Sequence, residues 1–193
     1  MDATAIKKWL ELFTVKVNEE KAYLSDLDGA IGDGDHGMNM ARGTTEMQAA
    51  MEAKNPETPA DIFKLAGMTL VSKVGGASGP LYGSAFIGMA KAAKDSDDLV
   101  EILKAGLDGI QKRGKAEIGE KTMVDTWAPV IASLENGDLT TEKVEEIVEA
   151  TKPILATKGR ASYLGERSVG HLDPGAVSSG YLFTTMIEAG VNA

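Results

Sequence analysis

Ile6-Lys7-Lys8-Trp9-Leu10-Glu11-Leu12-Phe13-Thr14-Val15-Lys16-Val17 carries apolar side chains at positions 6, 9, 10, 13 and 17. Steps of three and four residues stack those side chains along one stripe of an α-helix, with most of the charge on the opposite face. The same period returns along nearly the whole chain. Ala41, Thr44, Met47 and Met51 mark a second helix, and Pro59 opens a third carrying Ile62, Leu65, Ala66, Thr69 and Leu70. Proline suits a first helical position, where its missing N–H has no intrahelical partner to lose. Pro80 starts a fourth with Leu81, Ala85, Phe86 and Met89. Leu99, Ile102, Leu103, Leu107 and Ile110 define a fifth, and Met123, Trp127, Val130, Ile131 and Leu134 a sixth. Val144, Ile147, Val148, Ile154 and Leu155 give a seventh, bent or restarted by Pro153. Val177, Tyr181, Leu182 and Thr185 give the eighth. Runs of period two are absent, so the expectation is an all-α bundle of about eight helices forming one domain over residues 1–193.

Three connections depart from this economy: Asp28–Gly37, Gly75–Gly79 and Gly159–Gly175. In an up-down bundle, loops separated by an even number of helices lie at the same end. The first and second have two helices between them, and the second and third have four, so all three are expected to meet. The third has Tyr163, Leu164 and Val169 to pack with, which favours function over disorder.

The first of these loops reads Asp28-Gly29-Ala30-Ile31-Gly32-Asp33-Gly34-Asp35-His36-Gly37-Met38-Asn39-Met40. Three carboxylates within eight residues, separated by glycines, make a poor helix interior. They do suit hard oxygen ligation of Mg²⁺, completed by water and phosphate. Helical periodicity resumes after Gly37, so the loop ends at a helix N-terminus, whose free amides attract anions. An EF-hand is excluded, because Asn39 and Met40 stand where its bidentate carboxylate is needed. Gly75-Gly76-Ala77-Ser78-Gly79-Pro80 repeats the theme, with bare backbone and one hydroxyl leading into a helix. Neither a P-loop nor a dinucleotide-binding glycine motif is present.

Arg160 and Arg167 are candidates for stabilising a phosphoryl group. His36 suits a metal ligand, a phosphate donor or an acid/base. His171 suits a proton shuttle or, preferably, a loop staple. Met123 and Trp127 sit at helical spacing and read as core. Glu142, Glu145, Glu146 and Glu149 read as a solvated helix face. The chain has no cysteine, which removes disulfides and thiolate metal sites and is compatible with the cytoplasm. Its start shows no secretory signal, and no apolar run approaches the roughly 20 residues that span a bilayer. A formal charge of −9 argues against nucleic acid as a partner, yet leaves room for a small polyanion bound through a cation.

Taken in order, these motifs carry a resemblance. They are Asp-x3-Gly-Asp-Gly-Asp-His-Gly-x-Asn-Met, Gly-Gly-Ala-Ser-Gly-Pro-Leu-Tyr-Gly, Arg-Gly-Lys-Ala-x4-Lys-Thr-Met-x-Asp-x-Trp and Lys-Gly-Arg-Ala-Ser-Tyr-Leu-Gly-Glu-Arg-Ser-x-Gly-His-x-Asp-Pro-Gly-Ala. The chain resembles, over its full length, the nucleotide-binding L subunit (DhaL) family of dihydroxyacetone kinases. The resemblance implies a closed barrel of eight antiparallel helices with the nucleotide at one end. It implies that Asp28, Asp33 and Asp35 hold two Mg²⁺ ions. It further implies that His36, Gly37, Met38, Asn39, Ala77 and Ser78 contact phosphates and nucleotide. Gly114 and Met123 would line the adenine side, which moves Met123 from core to ligand contact, and Arg160 with Asp173-Pro174-Gly175 would complete the site. The implied partners are a K subunit that binds dihydroxyacetone covalently and, in the phosphotransferase-system form, a phosphohistidine-carrying M subunit. That form keeps ADP as a coenzyme, with ATP present transiently, and draws its phosphate from phosphoenolpyruvate. Two alternatives stand beside it. One is an ATP-exchanging domain serving another acceptor-binding partner, and the other is a nucleotide-dependent module that regulates a transcription regulator.

Overall fold

In the computed structural model, which describes residues 1–192, eight α-helices and one 3₁₀ segment follow one another, with no strand among the described residues. The helices are α1 (Ala3–Ile31), α2 (His36–Lys54), α3 (Pro59–Lys73), α4 (Ser78–Ala92), α5 (Leu99–Gly114), α6 (Val124–Asn136), α7 (Thr141–Glu149) and α8 (Pro174–Glu188), with the 3₁₀ segment (Arg160–Ser168) between the last two. Each helix packs on its neighbour in sequence, and α8 packs on α1, so the ring closes. The all-α architecture expected from the periodicity is thus observed, and so is its closure.

Local chemistry sets the ends of these helices. Asp2, Thr58, Asp98, Thr140 and Asp173 cap α1, α3, α5, α7 and α8 by accepting from backbone amides of the first turn. A cap of this kind contributes about 1 kcal/mol. The stripe that opened the sequence reading (Ile6, Trp9, Leu10, Phe13, Val17) is wholly buried. It meets Tyr82, Phe63, Phe86, Trp127 and Phe183 in one continuous core. Trp9 stands edge-on to Phe63 with centroids 6.1 Å apart, and Trp127 edge-on to Phe183 at 5.0 Å. Such pairs add about 0.5–1.5 kcal/mol each beyond area burial. Backbones approach closely between α4 and α5. A Cβ at Gly88 would lie 2.4 Å from the Ala105 carbonyl oxygen, and one at Gly109 2.4 Å from that of Ser84. Glycine at both positions is what lets these two helices touch.

Several expectations are corrected. The first helix does not end before the expected loop at Asp28 but runs to Ile31 and takes Asp28 into its last turn. The acidic loop is therefore short, because His36 and Gly37 already belong to α2. Helix α7 ends at Glu149 rather than reaching Leu155. The carbonyls of Thr151, Lys152 and Ile154, around Pro153, turn instead to the buried Lys121 ammonium. Residues 159–175 are not open loop throughout, since Arg160–Ser168 winds as a 3₁₀ segment kinked at Gly165. In that segment Ala161 and Leu164 pack against Ile31 and Ala156, while Tyr163 is 87% exposed and packs on nothing. His171 is exposed and forms no hydrogen bond among the described residues, so it does not staple the loop.

Candidate functional site

Closure of an up-down ring places the α1–α2, α3–α4, α5–α6 and α7–α8 connections at one end. A cavity of about 350 Å³ opens there and takes residues from all four. The three exceptional loops therefore do meet, and the α5–α6 connection joins them. Helices α2, α4, α6 and α8 all begin at this end. Each N-terminus carries about half a positive charge and amides without intrahelical partners, so the cavity is prepared for an anion.

Asp28, from the last turn of α1, is nearly buried. Its Oδ2 accepts from the amides of Asp35 at 2.9 Å and His36 at 3.0 Å, capping α2 from another helix. Burial raises the Asp28 carboxyl above its ordinary range, the two amides oppose that, and Asp33 and Asp35 add to the rise. Gly32 is obligatory beside it, because a Cβ there would lie 2.1 Å from Asp28 Oδ1. Asp28, Asp33 and Asp35 each offer an oxygen, and the three oxygens lie within 4.8 Å of one another. Three carboxylates converging so closely repel one another, and a divalent cation relieves that repulsion. An all-oxygen donor set of this charge fits Mg²⁺. Arg160 reaches Asp33 with Nη2 2.9 Å from Oδ2, an ion pair open to solvent and worth little in stability.

The opposite wall is glycine backbone. Gly75, Gly76 and Ala77 lead to Ser78 at the start of α4, and Gly76 takes φ +65°, a conformation open to glycine. Asn39 faces this loop, and its Oδ1 accepts from Arg42 Nη2 at 2.9 Å while Arg42 Nε donates to the Lys73 carbonyl at 3.0 Å. His36 lies between two hydroxyls, with Nδ1 2.9 Å from Ser78 Oγ and Nε2 3.0 Å from Ser178 Oγ. Burial lowers the His36 imidazole to about 4, so it is neutral at physiological pH. Burial likewise pushes the Tyr82 phenol well above its usual value and keeps it protonated. Apolar lining comes from Ile31, Leu81, Met123 and Pro174.

Asp28, Asp33, Asp35, His36, Ala77, Ser78, Met123, Arg160, Asp173, Pro174 and Gly175 thus share one cavity, as the sequence grouped them. Gly37, Met38, Asn39 and Gly114 do not line it. Gly37 packs on the Lys21 carbonyl, Met38 is 58% exposed, and Gly114 sits behind Leu81. Arg167 is exposed and outside the cavity. Trp127 is core, as read. Sequence reasoning passed over Lys121, which is 1% exposed. Its Nζ donates to the carbonyls of Thr151 (3.1 Å), Lys152 (2.9 Å) and Ile154 (2.9 Å). Burial lowers its pKa, against the pull of Asp173 and Asp125. Nothing in a lone lysine near Gly119 announces burial, although its left-handed φ of +61° marks a constrained turn.

A closed helical ring that aims four helix N-termini and three carboxylates into one cavity has the chemistry to suit a metal-bound polyanion. The chain belongs to the DAK2 domain family, whose model matches residues 30–188, and within it to the DhaL subunits of dihydroxyacetone kinase. It is 57% identical over 189 residues, 96% of either chain, to "PEP-dependent dihydroxyacetone kinase 1, ADP-binding subunit DhaL" of Listeria innocua. It is also 57% identical over 181 residues, 94% of either chain, to the "PTS-dependent dihydroxyacetone kinase, ADP-binding subunit DhaL" of Lactococcus lactis. Among solved structures, the dihydroxyacetone kinase from C. freundii in complex with AMP-PNP and Mg²⁺ superposes with a TM-score of 0.80 at 25% identity. That match covers 97% of this chain and 34% of the other. No helix among the described residues is long and apolar enough to cross a membrane.

Proposed function

We propose that this chain is the ADP- and Mg²⁺-holding subunit of a phosphoenolpyruvate-dependent dihydroxyacetone kinase of the cytoplasm. In this reading ADP stays bound and is rephosphorylated by a phosphohistidine on an M subunit. The γ-phosphoryl group then passes to dihydroxyacetone held on a K subunit. The observation that carries the reading is the convergence of Asp28, Asp33 and Asp35 with the N-termini of α2, α4, α6 and α8 on one cavity. The names of the 57% identical relatives support the choice of nucleotide.

Two Mg²⁺ ions, when bound, supply the positive charge that neutralises phosphate oxygens during transfer. The chain's own residues do the rest. Asp28 is locked by two amides, so one carboxylate is aimed before any ligand arrives, and Asp33 and Asp35 complete the oxygen set. The N-termini of α2 and α4, with Ala77 and Ser78, bind phosphate, and Arg160 swings from Asp33 to the phosphoryl group. Met123 and Leu81 hold the adenine, and the Asp173-Pro174-Gly175 turn closes the pocket. His36 is held by two serines and so does not stand free as a base for a substrate hydroxyl. Positioning and electrostatics therefore form this chain's share of the rate.

The test is to purify the protein without added nucleotide, dialyse and denature it, and identify what is released. Stoichiometric ADP with about two Mg²⁺ per chain is expected. Asp33→Ala is expected to lose both ligands and to abolish transfer in a mixture with K and M subunits. An empty protein that binds ATP reversibly replaces the coenzyme reading with an exchanging kinase. A protein that binds neither nucleotide overturns the site.

A further inference from the structure

A chain of buried hydrogen bonds runs from the core to the cavity wall. Trp127 Nε1 donates to Ser179 Oγ at 3.1 Å. The Ser179 and Tyr82 hydroxyls are 3.1 Å apart, and those of Tyr82 and Ser178 2.7 Å. Ser178 Oγ is 3.0 Å from His36 Nε2, and His36 Nδ1 is 2.9 Å from Ser78 Oγ. Trp127, Tyr82, Ser178 and Ser179 are fully buried, and they come from α6, α4 and α8. Such a chain is far more than these helices need in order to pack.

Its polarity follows from its first member. An indole N–H donates and never accepts. Ser179 Oγ therefore accepts from Trp127, and among the described residues the one acceptor within reach of its own proton is the Tyr82 oxygen. The Tyr82 proton then goes to Ser178. Ser178 has two acceptors in reach, His36 Nε2 at 3.0 Å and the Gly175 carbonyl at 3.3 Å. The shorter bond continues the run, and hydrogen bonds in a chain strengthen one another. With Nε2 accepting, the ring proton sits on Nδ1 and is donated to Ser78 Oγ. The Ser78 proton is then free for the cavity. With the opposite polarity Ser78 would spend its proton on Nδ1 and turn lone pairs toward an anion.

We propose that Trp127, Ser179, Tyr82 and Ser178 are positioning residues that fix His36 as its Nδ1–H tautomer and so hold Ser78 as a hydrogen-bond donor to the phosphate end of the nucleotide. This rests on the nucleotide reading above and adds a group of residues that act on the ligand only through His36 and Ser78. Preorientation matters because a serine hydroxyl otherwise rotates, and a donor already aimed at an anion needs no reorganisation when the anion arrives.

The experiment is long-range ¹H–¹⁵N correlation on nucleotide-free protein labelled at histidine. The chain has two histidines, and His171→Gln identifies the His36 signals. The expected result is a protonated Nδ1 and a bare Nε2 in His36, and a protonated Nε2 with bare Nδ1 in the wild type overturns the proposal. Tyr82→Phe and Trp127→Phe are each expected to admit the Nε2–H tautomer and to weaken Mg-ADP binding by about 3- to 10-fold, the size of one hydrogen bond. Both measurements unchanged in both folded variants would refute it. If neither variant folds, the wild-type tautomer decides alone. If wild-type protein binds no ADP, the nucleotide reading fails, while the tautomer still decides the polarity of the chain.

Discussion

Lys121→Met tests whether a buried ammonium holds the cavity end together. The wild-type Nζ gives its three protons to the carbonyls of Thr151, Lys152 and Ile154, at 2.9–3.1 Å. Methionine fills nearly the same space and donates nothing. Each lost bond to a charged donor is worth about 1.5–3 kcal/mol, and the stranded carbonyls stay out of water. Removing the buried charge also removes its desolvation cost, so the net loss is about 3–5 kcal/mol rather than the full sum. For a chain of this length, 1 kcal/mol moves Tm by about 2–4 °C, so a drop of roughly 10 °C is expected. Thermal unfolding of the nucleotide-free protein, followed by circular dichroism at pH 7, measures it. Lys143→Met serves as the control, since Lys143 is exposed and only 3.7 Å pairs it with Glu146. That control is expected to move stability by less than about 0.5 kcal/mol. If Lys121→Met and the control give the same Tm, the ammonium does not join the α5–α6 loop to the segment after α7.

Other outcomes follow from single contacts. Burial raises the Asp173 carboxyl to about 7, opposed chiefly by the Ala176 amide and by Lys121. A carboxyl with a raised folded pKa contributes stability that is complete below its unfolded value and is lost as pH rises through 7. Asp173→Asn keeps a capping oxygen but does not titrate. Between pH 5 and 8 the wild type should therefore lose about 2–3 kcal/mol relative to the variant in urea unfolding, and parallel pH profiles would refute the shift. In Gly37→Ala the new Cβ would lie 1.8 Å from the Lys21 carbonyl oxygen. Because that atom is backbone, α2 must move off α1, and a loss of about 1–3 kcal/mol is expected by the same assay. Chelation of Mg²⁺ from the nucleotide-loaded protein is expected to lower its Tm. Ligand held at 100 times its Kd accounts for about 2.7 kcal/mol, and scanning fluorimetry with and without EDTA reads the change.

The helical period was legible because the main core is one continuous apolar mass, and Trp9, Ile62 and Leu182 fall on the stripes that face it. The meeting of the three exceptional loops was legible through parity, since an up-down ring leaves them no other end to occupy, whereas the place of Met123 beside them came from the family resemblance. Boundaries were less so. Glycine at 29 and 32 reads as a break, yet α1 runs past Gly29 because Ile31 still finds Ala156 and Ala161 to bury against. The end of α7 was hidden for the opposite reason. Ile154 and Leu155 keep the period, but the donor for the carbonyls of this stretch is a lysine 30 to 33 residues earlier. The hydrogen-bond chain from Trp127 to Ser78 was invisible because its members are scattered over four helices, and Tyr82, Ser178 and Ser179 are each alone ordinary helical residues.

Ring closure also decides where anything can be attached. Because α1 heads toward the cavity and α8 heads away from it, the start of α1 and the end of α8 both lie at the far rim. The Met1 amine pairs there with Asp97 of the α4–α5 connection, 3.3 Å away. With α1 running 29 residues, that rim stands about 40 Å from the cavity mouth. Any longer polypeptide that carries this ring must enter and leave by the back door. A tether, label or fused neighbour fixed at either end leaves the mouth clear, and joining the two adjacent ends while cutting the chain elsewhere on the far rim would yield a permuted ring with the same cavity.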